Sequence, residues 1–380
     1  MSIKSARYAT LLFAVLGLNC GASDDSGSGS VFRHAHTLAA TGAPVTVRTP
    51  SDYRSAYNVP ATQTNYSGTK AAIIVAYHYA NLQADHNVWA KKYNLPPSTL
   101  NIINQAGVRT NSDWALEEVL DVAMLRTATD VTTIYVIEAK SAIRADFITA
   151  LGTAVNLGVD VVTMSFGGEE FYSEGSEEAF NSARGVTWIA ASGDNGVPLF
   201  PATHPGVVAV GASSLSSLIP RVETTWSDTG CGESIYMPKP SFQRGAAANT
   251  TTQRSVPDVS FNGNPSFGVE AYCSILGGWI VVGGTSVSAP FFAGIVSLAN
   301  GSRKHLGKQS LSSGTDAGQP SQLQNQLYQL SNSSSAALHD IVSGSGCGNS
   351  ASAAGPGYDL PSGLGSVDAQ KLIDYLTSMP

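Results

Sequence analysis

The sequence predicts an α/β fold, a doubly wound and mostly parallel sheet with helices on both faces. Three observations carry that prediction. Short apolar runs of strand length alternate with helical pattern along the first two-thirds of the chain, as in a parallel sheet whose crossovers are helices. The residues that look chemical, Ser165, Asp194 and Ser286, fall at or just beyond the carboxyl ends of such runs, where sheets of this class hold their ligands. And the apolar run Trp279-Ile280-Val281-Val282 feeds Gly283-Gly284-Thr285-Ser286-Val287-Ser288-Ala289-Pro290 and then a small, apolar stretch, 291–299, which reads as strand, tight turn and helix.

In chain order, 71–76 is a short apolar run and reads as a buried strand. Helical pattern covers 82–92 and stops before Pro96-Pro97. Asn111-Ser112-Asp113 gives an N-cap signal for a helix to about Arg126. Strands are expected at 132–137, 160–165, 186–191 and 207–211, with helices at 143–157 and 177–184 between them. The strand at 160–165 opens into Gly167-Gly168, and that at 186–191 ends at Ser192-Gly193-Asp194-Asn195-Gly196. From Leu215 to Tyr272 the chain reads as irregular, rich in Ser, Thr, Gly and Pro. There is no internal repeat and no second compositional domain.

The chain has 380 residues, 43% hydrophobic and 13% charged, enough for one large domain. A net charge of -7 and no basic cluster argue against a nucleic-acid partner. Lys4 and Arg7 precede an apolar run, 8–18, then Asn19-Cys20-Gly21-Ala22-Ser23. That is the layout of a secretory signal peptide over 1–23, with a run too short to span a membrane. Cys20 as a lipid-anchored cysteine is the minor alternative. Residues 24–46 read as a disordered Ser/Gly/Ala-rich linker, and 47–380 as the folded domain. Four cysteines less Cys20 leave Cys231, Cys273 and Cys347, hence at most one bridge and one free thiol. Cys231–Cys273 is one option, and sequence does not decide it. No Cys/His spacing has the look of a zinc site.

The Gly-rich turn places Ser286 at a helix N-terminus, where small neighbours admit a substrate backbone and the helix dipole favours developing negative charge. That suits a nucleophilic serine. Taken alone, Gly-Thr-Ser is also what an ordinary turn before a buried helix looks like. Glu117 and Asp121 stand four apart on one helix face, beside Trp114, Leu120 and Met124. Two carboxylates on a partly buried face repel, which raises at least one pKa and makes a proton-sharing pair suited to base work in acid. An isolated pair of this kind is more often a solvated acidic face. Asp194, in its Gly-Asp-Asn-Gly turn, is either a β-turn residue or a neutral carboxyl that donates to an oxyanion. His339-Asp340-Ile341-Val342 and Gly355-Pro356-Gly357-Tyr358-Asp359 offer hard oxygen ligands of the calcium type, though not in EF-hand spacing.

Taken together these stretches resemble the sedolisin family, serine-carboxyl peptidases of subtilisin-like fold. The resemblance runs from about Arg48 to Leu376. Its ordered motifs are Glu117-x-x-x-Asp121, Ser165-Phe166-Gly167-Gly168, Ser192-Gly193-Asp194-Asn195-Gly196, Phe200-Pro201-Ala202, Val256-Pro257-Asp258-Val259-Ser260, Gly284-Thr285-Ser286 and Gly357-Tyr358-Asp359-x-x-x-Gly363-Leu364-Gly365. The resemblance implies that Ser286 is the nucleophile, Glu117 the general base, Asp121 its orienting partner and Asp194 the oxyanion acid. It also implies one structural Ca2+ held by the carboxylates of Asp340 and Asp359 and the carbonyls of Ile341, Gly355 and Gly357. Subtilisins share the serine turn but use a His base before Gly-Thr and an oxyanion Asn. None of the seven histidines here precedes Gly-Thr, and Asp194 stands at the oxyanion position.

Three features depart from the family. Its members carry a long prosegment, whereas about two dozen residues stand here between the signal-like segment and the catalytic region. Val75 stands where relatives often place an acidic residue that extends the catalytic network. Phe166 replaces an aromatic with a polar handle. The expectation is a secreted, acid-acting serine-type endopeptidase acting on polypeptides as a monomer, with no nucleic acid and no membrane span. The alternative is a catalytically weak or inactive secreted binding protein on the same fold. Release of amino-terminal tripeptides is a variant within the first reading.

Overall fold

A computed structural model describes residues 30–39, 44–182, 185–245, 252–313, 322–333, 335–348 and 352–380. The signal-like segment 1–23 and Cys20 lie outside the described residues.

The core is an eight-stranded, mostly parallel sheet. Lys70–Ala76 lies at its centre, with Thr133–Ala139 and then Asn101–Asn104 on one side. Val161–Met164, Thr187–Ala191 and Val208–Leu218 follow on the other. All these pairings are parallel. Only Arg221–Thr225, which folds back on Val208–Leu218, runs antiparallel. Residues Ala71 to Val75 are fully buried, so the strand is covered on both faces, as parallel strands require.

Two helices matter most for the site. The carboxylate helix, Ser112–Ala128, starts where Asn111 Oδ1 accepts from the Asp113 and Trp114 N–H groups at 3.0 and 3.1 Å. It is buried from Trp114 onward, so the acids it carries are buried too. The serine helix, Thr285–His305, follows the strand Gly278–Gly283 and packs against the carboxylate helix. Their approach is close: a Cβ at Gly294 would sit 2.5 Å from Ala128 Cβ. Among the described residues no helix is long and apolar enough to cross a membrane.

The structure departs from the sequence expectation in three places. The stretch from Leu215 to Tyr272 is not irregular throughout; Gly232–Pro238, Gln253–Val256, Val259–Asn262 and Val269–Cys273 are strands. Val259–Asn262 joins the main sheet, parallel to Val208–Leu218. The bridge is Cys231–Cys347, with Cα atoms 4.8 Å apart, while Cys273 is a buried free thiol. The Cys231–Cys273 option is therefore corrected.

The third departure is the linker expected over 24–46. Its described residues include two short strands, Arg33–His34 and Thr37–Leu38. The first pairs antiparallel with Phe166–Gly167, the second with Val282–Gly283. Phe32 and Ala35 are buried. A Ser/Gly/Ala-rich composition lacks the apolar content to order itself, but here order comes from backbone pairing on both flanks and from the Phe32 ring.

Candidate active site

Ser286 is the second residue of the serine helix, and what precedes it has to be glycine. Gly284 has φ +104°, and a Cβ there would lie 2.4 Å from Asp194 Oδ2 and 2.6 Å from the Ala35 carbonyl oxygen. Both oxygens therefore converge on one small space in front of the serine turn. The Ser286 N–H, one of the free donors of the helix N-terminus, donates to that Ala35 carbonyl at 2.9 Å. Ser286 is fully buried beneath the segment.

The four residues singled out in sequence meet here. Glu117 is fully buried, and burial drives its pKa well above the usual carboxylate range. The Ser286 hydroxyl and the Ala35 backbone pull it down, and the charge of Asp194 adds to the rise. Asp121 is raised by burial and then by Glu117, while the Ser165 hydroxyl, donating to Oδ1 at 2.5 Å, opposes the rise. Asp194 is pushed up to about 6 by burial. Its Oδ1 accepts from the Thr285 N–H at 2.8 Å and the Thr285 hydroxyl at 2.7 Å. Oδ2 faces the Thr37 hydroxyl at 2.9 Å.

His36 touches this centre, its Nδ1 lying 2.7 Å from Glu117 Oε2. Burial lowers the His36 pKa to about 4, which favours the neutral imidazole. His34 stacks on His36 with ring centres 4.1 Å apart. The donor atoms of His34, His36 and Glu117 lie within 4.8 Å of one another, a gathering of metal-ligating groups that sequence spacing did not reveal.

Sequence reasoning also missed Thr285, Thr37 and a second buried acid cluster. Val75 carries no acid, but its register partner on the adjacent strand is Glu138, which is fully buried. Glu138 lies against His78 at 2.6 Å, and its charge helps raise Glu118 on the far side of the carboxylate helix, after burial itself. The available signal was an acid inside an apolar strand, Ile137-Glu138-Ala139. Phe166, with no polar handle, packs in an aromatic cluster with Phe32, Phe147 and Trp114.

The C-terminal loops also come together. Asp340 Oδ2 accepts from the Gly357 N–H at 2.7 Å. Asp359 Oδ2 accepts from the Gly355 N–H at 2.9 Å, and its Oδ1 from Ser362. Burial raises the pKa of Asp359, and the nearby charge of Asp340 adds to the rise. Two mutually repelling carboxylates beside carbonyls from the same loops fit a hard divalent cation of the calcium type.

With this geometry in hand, the chain compares as follows. Residues 50–329 match the sequence profile of the subtilase family. Over 269 residues the chain is 35% identical to kumamolisin of Bacillus sp. (strain MN-32), a match covering 61% of this chain and 46% of that protein. It is 30% identical over 227 residues to sedolisin of Pseudomonas sp. (strain 101), covering 52% of this chain and 36% of that one. The matched region thus spans less than half the length of these relatives. A solved structure of Pseudomonas sedolisin, a serine-carboxyl proteinase, has the same fold, with a TM-score of 0.76 at 23% identity over 88% of this chain and 99% of that one. The chain belongs to the subtilase family, in its sedolisin branch.

Proposed function

We propose that the chain is an acid-acting serine-carboxyl endopeptidase. One observation carries the reading: the N–H of a helix-start serine holds a peptide carbonyl that converges with the Asp194 carboxyl on one small space in front of the serine turn. Ser286 attacks a peptide carbonyl and Glu117 takes its proton. Asp121 Oδ2 is buried with no donor among the described residues, which is where a proton shared with Glu117 would go. That sharing leaves Glu117 a base while the pair carries one net charge. The Ser286 N–H and a neutral Asp194 hold the oxyanion, and the acyl-enzyme is hydrolysed by water.

The sign of the pH effect follows. A carboxyl raised to about 6 is neutral below that value and donates; above it, ionised Asp194 would repel the oxyanion. Activity therefore falls as pH rises through about 6, and falls again in strong acid once Glu117 and Asp121 are both protonated. A pH series of cleavage of a denatured protein tests this. The filled cleft keeps the binding-protein reading in view. Absence of cleavage at any pH by folded protein freed of residues 1–35 would favour it.

Secretion and a monomeric state are part of the proposal. So is one structural Ca2+ on Asp340, Asp359 and the carbonyls of Ile341, Gly355 and Gly357. When bound, the ion neutralises the two carboxylates and ties the loops together. Calcium added to metal-free protein is then expected to raise Tm, and Asp359→Asn to abolish the rise. An equal Tm with and without calcium would remove the ion from the account.

A further inference from the structure

We propose that His34, His36 and Glu117 form a binding site for a divalent cation of the zinc type, and that an ion bound there takes Glu117 out of catalysis. The site itself stands on the geometry of the three side chains. Its effect on activity rests on the peptidase reading above.

Two periodicities bring the three groups together. Arg33–His34 pairs with Phe166–Gly167, and the Ala35 N–H donates to the Ser165 carbonyl at 3.0 Å, so this stretch is extended. Alternate residues of an extended segment share a side, which sets His34 and His36 together. Their rings stack with centroids 4.1 Å apart. On the carboxylate helix, Trp114 and Glu117 are three apart and share a face. The Trp114 ring stands edge-on to His34 at 6.0 Å, and Glu117 Oε2 lies 2.7 Å from His36 Nδ1. Glu117 is 81 residues from His36 in sequence, which is why no Cys/His spacing announced the site.

The donor set suits the ion. Two imidazole nitrogens and one carboxylate oxygen are ligands of zinc sites that keep a fourth position open. Bonds of about 2.0–2.1 Å hold the ligand atoms of a tetrahedral ion about 3.4 Å apart. Here the three donor atoms lie within 4.8 Å of one another, with His36 and Glu117 nearer than that spacing. An ion entering the cluster opens the His36–Glu117 hydrogen bond, draws His34 in, and replaces the proton held between the two.

The surroundings point the same way. His34 Nδ1 is buried with no hydrogen-bond partner among the described residues, although a buried nitrogen of this kind is costly to leave unpaired. The charges of Asp194 and Asp113 both reach His36. Asp113 also reaches His34, where Arg33, itself exposed, opposes it. Calcium and magnesium prefer all-oxygen ligands, so the C-terminal loops and this cluster select different ions. A carboxylate oxygen bonded to zinc no longer accepts the Ser286 proton, so the loaded protein has a nucleophile without its base.

The test titrates Zn2+ into the full chain carrying Ser286→Ala, with calcium in excess, and follows binding by calorimetry and Tm. This variant stays whole, so binding is read independently of activity. The expected result is a Tm that rises with zinc, and, with Co2+ in its place, the visible absorption of a four-coordinate ion. His34→Ala, His36→Ala and the shape-keeping Glu117→Gln, each added to that chain, should weaken zinc binding by about 100-fold or more and erase the Co2+ bands. Denaturant unfolding without zinc shows which variants are folded, and Glu117→Gln decides the matter where a histidine variant is not. In the chain that keeps Ser286, zinc should suppress cleavage of a denatured protein, and dialysis against calcium buffer should restore it. No binding, or binding that survives the three substitutions, overturns the site. Zinc that binds but leaves cleavage unchanged overturns the effect on catalysis and spares the site. A chain that cuts nothing with or without zinc sinks the peptidase reading, and with it the effect on catalysis, while the binding series still decides the site.

Discussion

Glu117 and Glu118 are neighbours on one helix, both buried and both pushed well above the carboxylate range, first by burial. They differ in what they meet. Glu117 faces a helix-start serine, a second raised carboxyl and a segment whose peptide carbonyl lies on the serine N–H. Glu118 faces Glu138 and, behind it, His78, with no nucleophile and no donor pair aimed at an oxyanion among the described residues. A perturbed pKa is thus shared by both faces of the helix. What separates a reactive carboxyl from a structural one is the arrangement of partners around it.

The comparison breaks first at the serine. Ser286→Ala is expected to lower kcat/KM by about 10⁴-fold or more, since the nucleophile has no substitute. Glu117→Gln keeps shape and burial but removes the base, with an expected loss of about 10²–10⁴-fold. Asp194→Asn should cost about 10²-fold at the acid optimum. Its sharper signature is in pH: an amide donates at every pH, so the decline near pH 6 should vanish from the profile of this variant. Glu118→Gln is the control for the other face. Burial pushes this side chain toward its neutral form and it faces no nucleophile among the described residues, so kcat/KM should change by less than about tenfold, with a stability loss of about 1 kcal/mol seen in denaturant unfolding. A loss at Glu118 as large as that at Glu117 would erase the distinction between the faces.

Much of this was legible in the chain. The helix Leu82–Lys92 has the bounds its pattern predicted, and Asn111 caps the carboxylate helix as its residue type implies. The four candidate residues that gather at the serine turn could be singled out because strand ends, an i,i+4 acid pair and a glycine turn leave local marks. What was missed depends on distant pairing. Residues 30–39 read as a linker because their order comes from Phe166–Gly167 and Val282–Gly283, far away in sequence. Val259–Asn262 is a four-residue strand that follows Pro257-Asp258, so its Val/Phe alternation is too brief to stand out without the neighbour it pairs with. The Cys231–Cys347 bridge spans 116 residues, a separation no spacing rule covers. Glu138 stands opposite Val75 on the neighbouring strand, a pairing that only the register reveals.

The central claim is that a serine, a carboxylate base and a protonated carboxyl at the oxyanion do the chemistry. The most direct measurement is kcat/KM for cleavage of a denatured protein from acid to neutral pH, with Ser286→Ala as the blank. The account predicts an acid maximum, a decline through about pH 6 and no cleavage by the variant. Cleavage peaking at or above neutrality, or surviving in Ser286→Ala, would contradict it.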